Sequence, residues 1–201
     1  MTLIASGEIQ LWLKLIVTLC VCLILVMNVK QYGPANLLWF SDIGLVTTVL
    51  ALWFESSLLA SMTALSVVLL DVVWNVGFFV RLLTGTSVTS LTGYMFDKKI
   101  SLPLRAISLF HVASPVLLLW MIHRLGYDGR AFIAQTAVAC VVLPLTYLLT
   151  DPKGENFNWV HGMGEKPQRR VHPLLWLLLL MIAIPVGIYL PTHLLLTWIF
   201  R

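Results

Sequence analysis

The chain has 201 residues, of which 59% are hydrophobic and only 11% are charged. About a quarter of the residues in an ordinary soluble domain are charged, so this composition excludes a water-soluble fold and indicates a protein surrounded by membrane lipids. The net charge of +4 comes from basic residues scattered through short polar connections. That distribution excludes the clustered basic surface of a nucleic-acid-binding protein.

Six apolar runs are long enough to cross the membrane, because about 20 residues of α-helix span its hydrocarbon core. The second and third runs are joined by a tight connection in which a serine can cap the next helix. Longer polar connections precede the fourth and sixth runs. In chain order the runs cover about 11–27, 37–54, 57–82, 104–122, 131–149 and 173–195. The sequence therefore predicts an all-α fold: one membrane domain, a polytopic transmembrane helical bundle of about six spans.

Lysine and arginine are distributed unequally between the two sides of this bundle. Cytoplasmic connections are enriched in these residues, so we expect the odd-numbered connections in the cytoplasm and both termini in the periplasm or outside the cell. A bacterial inner membrane is the expected location. The odd-numbered connections hold Lys30, Arg81, Lys98, Lys99, Arg105, Lys153, Lys166, Arg169 and Arg170, and the opposite side holds Lys14, Arg124, Arg130 and Arg201.

A few strongly polar side chains lie well inside the predicted spans, where an ionised residue costs about 2.5–3.5 kcal/mol at mid-helix. Asp42 lies near the start of the second run, Asp71 and Asn75 lie in the second half of the third, and His111 lies near the start of the fourth. The alternating direction of the spans places all four in the cytoplasmic half of the membrane. We therefore expect them to converge, together with Ser41.

Two interpretations of this cluster stay open. Asp71 is either a buried carboxyl group that links helices by hydrogen bonding or part of a functional site, which is the usual meaning of an acid inside a membrane.

The 150–172 connection lies on the same side and brings Asn158 and His161 to the position of a lid. Trp74 is expected in an interfacial aromatic belt, with most of the other tryptophans.

No metal and no other cofactor is expected. The five histidines include no H-x-x-x-H or H-E-x-x-H pair. Two of the three cysteines, Cys20 and Cys22, are two residues apart and therefore on nearly opposite faces of one helix.

Six short stretches spread over nearly the whole chain form a recognisable set. They are Y-G-P-A-N at 32–36, W-F-S-D-I at 39–43, L-T-G-Y-M-F-D at 91–97, S-L-F-H at 108–111, N-F-N-W-V at 156–160 and L-P-T-H-L at 190–194. The set resembles a bacterial family of small, uncharacterised membrane-associated proteins, which implies the same topology and no particular activity.

A weaker resemblance is to the androgen-inducible six-pass intramembrane hydrolases. Those proteins use a threonine early in helix two and a histidine in helix four against lipid esters. Ser41 and His111 stand in those places, although the hydroxyl residue here is a serine followed by an acid. The resemblance implies a class of chemistry rather than a substrate.

The first function that fits the sequence is an intramembrane hydrolase or transferase that acts on a lipidic substrate. Ser41 would be the nucleophile, His111 the general base, and Asp71 or Asp42 the group that orients the imidazole. The substrate would contact Asn75, His161 and Asn158, and Asn158 would donate a hydrogen bond to an oxyanion.

Two further functions stay open. In a proton- or ion-coupled transporter, Asp42, Asp71 and His111 would form a relay, although polar residues are scarce in the outer half of the spans. In a noncatalytic partner of a larger membrane complex, the lipid-facing surface would make the contacts. The sequence leaves open whether the protein is an enzyme and whether it forms an oligomer.

Overall fold

A computed structural model describes residues 8–164 and 167–200 of the chain. The regular secondary structure of this part is entirely helical, which confirms the predicted all-α bundle. Lys166 and Arg201, both included in the charge distribution above, lie outside the described residues. The helices are α1 (Leu11–Tyr32), α2 (Phe40–Trp53), α3 (Ser57–Thr84), α4 (Leu102–Ile107), α5 (Phe110–Leu125), α6 (Ala131–Leu149), α7 (Pro173–Ile184) and α8 (Leu190–Ile199).

Five helical segments in the described part of the chain are long and apolar enough to cross a membrane: α1, α3, α4 with α5, α6, and α7 with α8. The remaining predicted span, the second run at 37–54, corresponds to α2, which has 14 residues. At 1.5 Å per residue α2 is about 21 Å long, shorter than the ~30 Å hydrocarbon core. Large apolar side chains cover the outside of the bundle, among them Leu19, Leu83 and Ile133, each more than 70% exposed. The protein is therefore a membrane-embedded helical bundle.

The central helix of the bundle is α3, which packs against α2, α5, α6 and α8. Ala60, Ser61 and Ala64 on α3 are fully buried, and small residues of this kind let helix backbones approach closely in membranes. A Cβ added to Gly44 of α2 would lie 3.0 Å from Val67 Cγ1 of α3. The contact between α2 and α3 therefore depends on a glycine.

Local sequence signals set several helix boundaries. Ser56 caps α3, since its Oγ accepts a hydrogen bond from the Leu59 amide at 3.3 Å. Gly85 ends the same helix in the left-handed conformation, with φ of 73°. Between α7 and α8 a π-helical turn runs over Pro185–Tyr189, at a proline that lacks the N–H of a regular helix.

The bundle has two polar ends. At the first, which we call the His193 end, the Ile9 amide and the Lys14 ammonium group both donate to Glu55 Oε1 at 2.8 Å, and Tyr127 contacts His193. The opposite end carries the polar cluster predicted from the sequence, and we call it the His111 end.

Candidate functional site

His111 in the first turn of α5 and Asp71 of α3 form a buried pair. His111 Nδ1 lies 2.7 Å from Asp71 Oδ1, and the two side chains are only 17% and 4% exposed. A carboxylate next to Nδ1 favours the tautomer that carries its proton there, which leaves Nε2 as the free acceptor. The other carboxylate oxygen, Asp71 Oδ2, is buried and accepts no hydrogen bond from the described residues.

Asn75 holds α3 and α5 together at this pair. A proline at position 115 has no N–H, so the carbonyl of His111, four residues earlier, loses its helical partner. Asn75 Nδ2 takes that place and donates to the His111 carbonyl oxygen at 2.7 Å, and to the Asp71 carbonyl oxygen at 2.8 Å. Asn75, predicted to bind substrate, thus satisfies the backbone that carries both members of the pair.

Trp74 forms one wall of the site. Its ring stacks on His111, with ring centroids 4.9 Å apart and planes at 28°. Trp74 is only 5% exposed, so the expectation that it belongs to an interfacial belt is wrong. Its aromatic face instead limits how the imidazole can rotate.

The segment 85–101 covers the His111 side of the site. The 150–172 connection, which the sequence predicts as a lid, packs against the start of α2, and its role as a lid stays a prediction. In the segment 85–101, the Tyr94 hydroxyl of the short helix Gly93–Phe96 faces Ser108 and Trp74. Phe96 packs on Phe78 of α3 with ring centroids 5.7 Å apart. Burial raises the pKa of Tyr94, so this hydroxyl stays neutral at physiological pH and can donate to a bound group.

Asp42 is the second buried acid of the His111 end. It accepts hydrogen bonds from Asn28 Nδ2 of α1 at 3.0 Å and from Asn36 Nδ2 at 3.2 Å. Ser41 Oγ lies 3.4 Å from the same carboxylate. The Asp42 carboxylate also lies within electrostatic range of His111. Asp42 and the Asp71–His111 pair therefore share one electrostatic environment.

The structure brings Asp71 and His111 into direct contact but does not do so for Ser41 and His111. Ser41 lies on α2 and His111 on α5, and both helices pack against α3. The hydrogen bond made by the Ser41 hydroxyl goes to Asp42. The hydrogen-bond partner of the Ser41 hydroxyl is therefore the Asp42 carboxylate and not the imidazole.

Asn158 clamps the 150–172 connection onto the start of α2. Its Oδ1 accepts from the Phe40 amide at 3.0 Å, and its Nδ2 donates to the Leu38 carbonyl at 2.7 Å and to Thr146 Oγ1 at 3.4 Å. Asn158 thus serves as the N-terminal cap that Trp39 cannot supply. Both amide hydrogens of Asn158 have partners within the protein, and its oxyanion role stays a prediction.

His161 also belongs to the internal structure of this connection. It is 7% exposed, its Nε2 lies 3.1 Å from Thr150 Oγ1, and its amide donates to Asn156 Oδ1 at 3.0 Å. Burial lowers the pKa of His161. The structure thus gives His161 partners inside the connection, and its role in substrate binding stays a prediction.

A second pair that contains a histidine, Tyr127 with His193, lies at the His193 end. Tyr127 OH and His193 Nδ1 are 2.7 Å apart, and burial raises the pKa of Tyr127 to about 12. Buried polar side chains also occur between the two ends, including Ser66, Gln135 and Tyr189. Buried polar side chains therefore also lie away from the His111 end.

Sequence reasoning missed four residues that build the site: Asn28, Asn36, Trp74 and Tyr94. The two asparagines follow an apolar run, where they look like ordinary helix-end residues, and only the fold turns them towards Asp42.

Among the described residues, no three His, Cys, Asp or Glu side chains are grouped so as to hold a metal ion. Comparison of the chain with models of known protein families, with curated proteins and with solved structures gives no match.

Proposed function

We propose that this protein is an intramembrane hydrolase or transferase that acts on an ester of a membrane lipid, with His111 as the general base. The observation that carries the proposal is the 2.7 Å contact between Asp71 Oδ1 and His111 Nδ1 inside an apolar bundle. A carboxylate that fixes the tautomer and orientation of an imidazole is the arrangement by which histidine becomes an effective base.

The free oxygen of Asp71 favours this function over a purely structural link. Buried polar groups in folded proteins are almost always hydrogen-bonded, and a carboxyl group that only joined helices would be expected to use both oxygens. Asp71 Oδ2 has no such partner among the described residues. A site that binds water or substrate accounts for that oxygen.

In the proposed reaction His111 Nε2 takes the proton of a hydroxyl nucleophile. The nucleophile oxygen attacks the ester carbonyl, the bond between the acyl carbon and the lipid alcohol breaks, and Nε2–H returns the proton to the leaving alkoxide. Asp71 stabilises the imidazolium that exists between these steps. With water as the nucleophile the reaction is hydrolysis, and with a second alcohol it is acyl transfer.

Water or an acceptor alcohol is the nucleophile that this geometry favours. Ser41, the nucleophile expected from the sequence, hydrogen-bonds to the Asp42 carboxylate at 3.4 Å and not to the imidazole that would have to take its proton. Tyr94, whose hydroxyl faces the site from the segment 85–101, is the donor that best fits a developing oxyanion.

The test uses purified protein in nanodiscs made from a bacterial polar lipid extract, in water enriched in ¹⁸O. We expect ¹⁸O in released fatty acid, at least 100-fold less of it from His111→Gln, and an unchanged amount from His123→Gln, an exposed histidine outside the site. Ser41→Ala should remain active. An inactive Ser41→Ala would return the nucleophile to Ser41, and equal rates for wild type and His111→Gln would refute the proposed base.

A second candidate function is proton-coupled transport. It is favoured by the Tyr127–His193 pair at the opposite end and by Ser66, Gln135 and Tyr189 buried between the ends. Liposomes containing the protein and a pH-sensitive dye would then show proton flux that is lost in both His111→Gln and His193→Gln. Flux that survives both substitutions, or no flux above empty liposomes, would exclude a relay through these histidines.

A further inference from the structure

An apolar groove of about 880 Å³ lies on the outside of the bundle. It follows α5 and is bordered by α3 and by the start of α1, and its walls include Phe78, Leu109, Val112, Val116 and Trp120. Ligand sites usually have volumes of about 300–1,000 Å³. The groove is therefore large enough for a ligand and, in a membrane-embedded bundle, opens towards lipid.

The length of the groove matches one lipid leaflet. At 1.5 Å per residue the helical stretch from Leu109 to Trp120 is about 16 Å long, which is about half of the ~30 Å hydrocarbon core. An extended acyl chain of one lipid fills such a groove along its axis, and the apolar walls offer it contacts and no hydrogen-bonding group.

Positive charge lies beside the Leu109–Phe78 end of the groove. Arg105 precedes Leu109 by one helical turn, and Arg81 follows Phe78 by three residues on α3. The Arg81 guanidinium group stands 4.5 Å from the centre of the Phe96 ring, which itself packs on Phe78. In the described part of the chain neither arginine forms a salt bridge with a carboxylate. Arg105 Nη1 donates to the Met95 carbonyl oxygen at 3.3 Å. Two guanidinium groups without a carboxylate partner at the end of an apolar groove match an anionic headgroup on an acyl chain.

We infer that this groove binds one acyl chain of an anionic phospholipid, with the lipid phosphate at Arg81 and Arg105. The inference deepens the proposed function and rests on it at one point: a lipid held here lies beside His111, whose neighbours Leu109 and Val112 line the groove. Anionic phospholipid is then the substrate class, and its acyl ester is the bond presented to the imidazole.

Native mass spectrometry of the full chain in detergent tests the binding without any catalysis. The probes are phosphatidylglycerol and phosphatidylcholine with identical acyl chains. Ala113→Trp fills the groove from an exposed position on α5, and Ala137→Trp is the matched control at an exposed position of α6. Arg81→Gln removes charge and leaves the groove open, and His111→Gln removes the proposed base.

We expect wild type and Ala137→Trp to retain phosphatidylglycerol at least fivefold better than phosphatidylcholine. Ala113→Trp should lose most of the bound phosphatidylglycerol, and Arg81→Gln should lose the preference between the two lipids. His111→Gln should bind like wild type, so that failed chemistry and failed binding are distinguishable. Equal retention of the two lipids by wild type, or equal binding by Ala113→Trp and Ala137→Trp, would overturn the inference.

Discussion

At the level of single residues, Asp71 is a buried acid whose burial in the membrane costs free energy. An ionised carboxyl group at mid-membrane costs about 2.5–3.5 kcal/mol on insertion scales, and Asp71 is only 3% exposed. His111 offsets part of this cost through a short hydrogen bond to Oδ1. The buried Oδ2 has no hydrogen-bond partner among the described residues, so its desolvation cost is not offset. A functional role of the carboxylate would explain why this cost is retained.

The convergence of Asp71, Asn75 and His111 could be predicted from depth alone, because alternating spans place residues of similar depth side by side. The partner of each group could not be predicted. The i, i+4 spacing suggests an Asn75–Asp71 side-chain bond, but the amide goes to the backbone carbonyl left free by Pro115. Such a bond depends on the separation between α3 and α5, which the sequence does not contain.

His161 predicts a dependence of stability on pH. Burial lowers its pKa in the folded protein, whereas the unfolded chain has the ordinary value of about 6.5. Between these two pKa values the unfolded state binds more protons than the folded state. The contribution of His161 to the free energy of unfolding is therefore complete above about pH 6.5 and is lost as the pH falls through the pKa of the folded state.

Thermal unfolding in detergent between pH 7.5 and pH 5 measures this effect. The melting temperature of wild type should fall on acidification, and that of His161→Gln should fall less. His123→Gln, which changes an exposed histidine, should behave like wild type. An equal fall in wild type and His161→Gln would show that His161 is not the group that titrates.

At the level of helices, Asn75 and Pro115 form a linked pair. Asn75→Ala leaves the His111 carbonyl without a donor, which we expect to lower the free energy of unfolding by about 1–3 kcal/mol. Pro115→Ala restores the helical N–H, so in that background Asn75→Ala should cost clearly less. A double-mutant cycle in a detergent unfolding assay measures the coupling. Strictly additive effects would contradict the proposed exchange of partners.

Asn158 has a comparable role for α2, a helix of 14 residues. Asn158→Ala removes the cap on the Phe40 amide and the bond to Leu38, with an expected loss of about 1–3 kcal/mol. Asn158 adopts φ of 49°, so Asn158→Gly relieves the backbone and separates strain from lost hydrogen bonds. Faster hydrogen exchange at the Phe40 amide in both variants is the expected signature. Unchanged exchange there would rule out the cap.

The positions of the helices were largely predictable from apolar runs, and their roles were not. The run at 37–54 reads as a full span, yet its first part forms the short helix Pro34–Leu38 and only Phe40–Trp53 is α-helical. The segment 85–101 reads as a simple connection, because its Tyr94 and Phe96 gain meaning only from the helices that they cover.

For the whole molecule, the charge distribution predicts which polar end faces the cytoplasm. Arg81, Lys98, Lys99 and Arg105 lie at the His111 end, whereas Arg124 and Arg130 flank Tyr127 at the His193 end. The positive-inside rule therefore predicts that the His111 end is cytoplasmic and that both termini are outside. A C-terminal alkaline phosphatase fusion should therefore be active. Activity of a cytoplasm-only reporter at the same position would invert the orientation and move the proposed site to the outer leaflet.

The central claim is that Asp71 and His111 act as one catalytic unit on a lipid ester. The most direct measurement is a double-mutant cycle of the ester cleavage rate in nanodiscs, with Asp71→Asn and His111→Gln, each checked for folding by its melting temperature. We predict that each single variant cleaves the ester about 10²–10⁴-fold more slowly than wild type. The double variant should be no slower than the slower of the two single variants, as for residues that work as a unit. A folded His111→Gln protein that cleaves at the wild-type rate would contradict the claim.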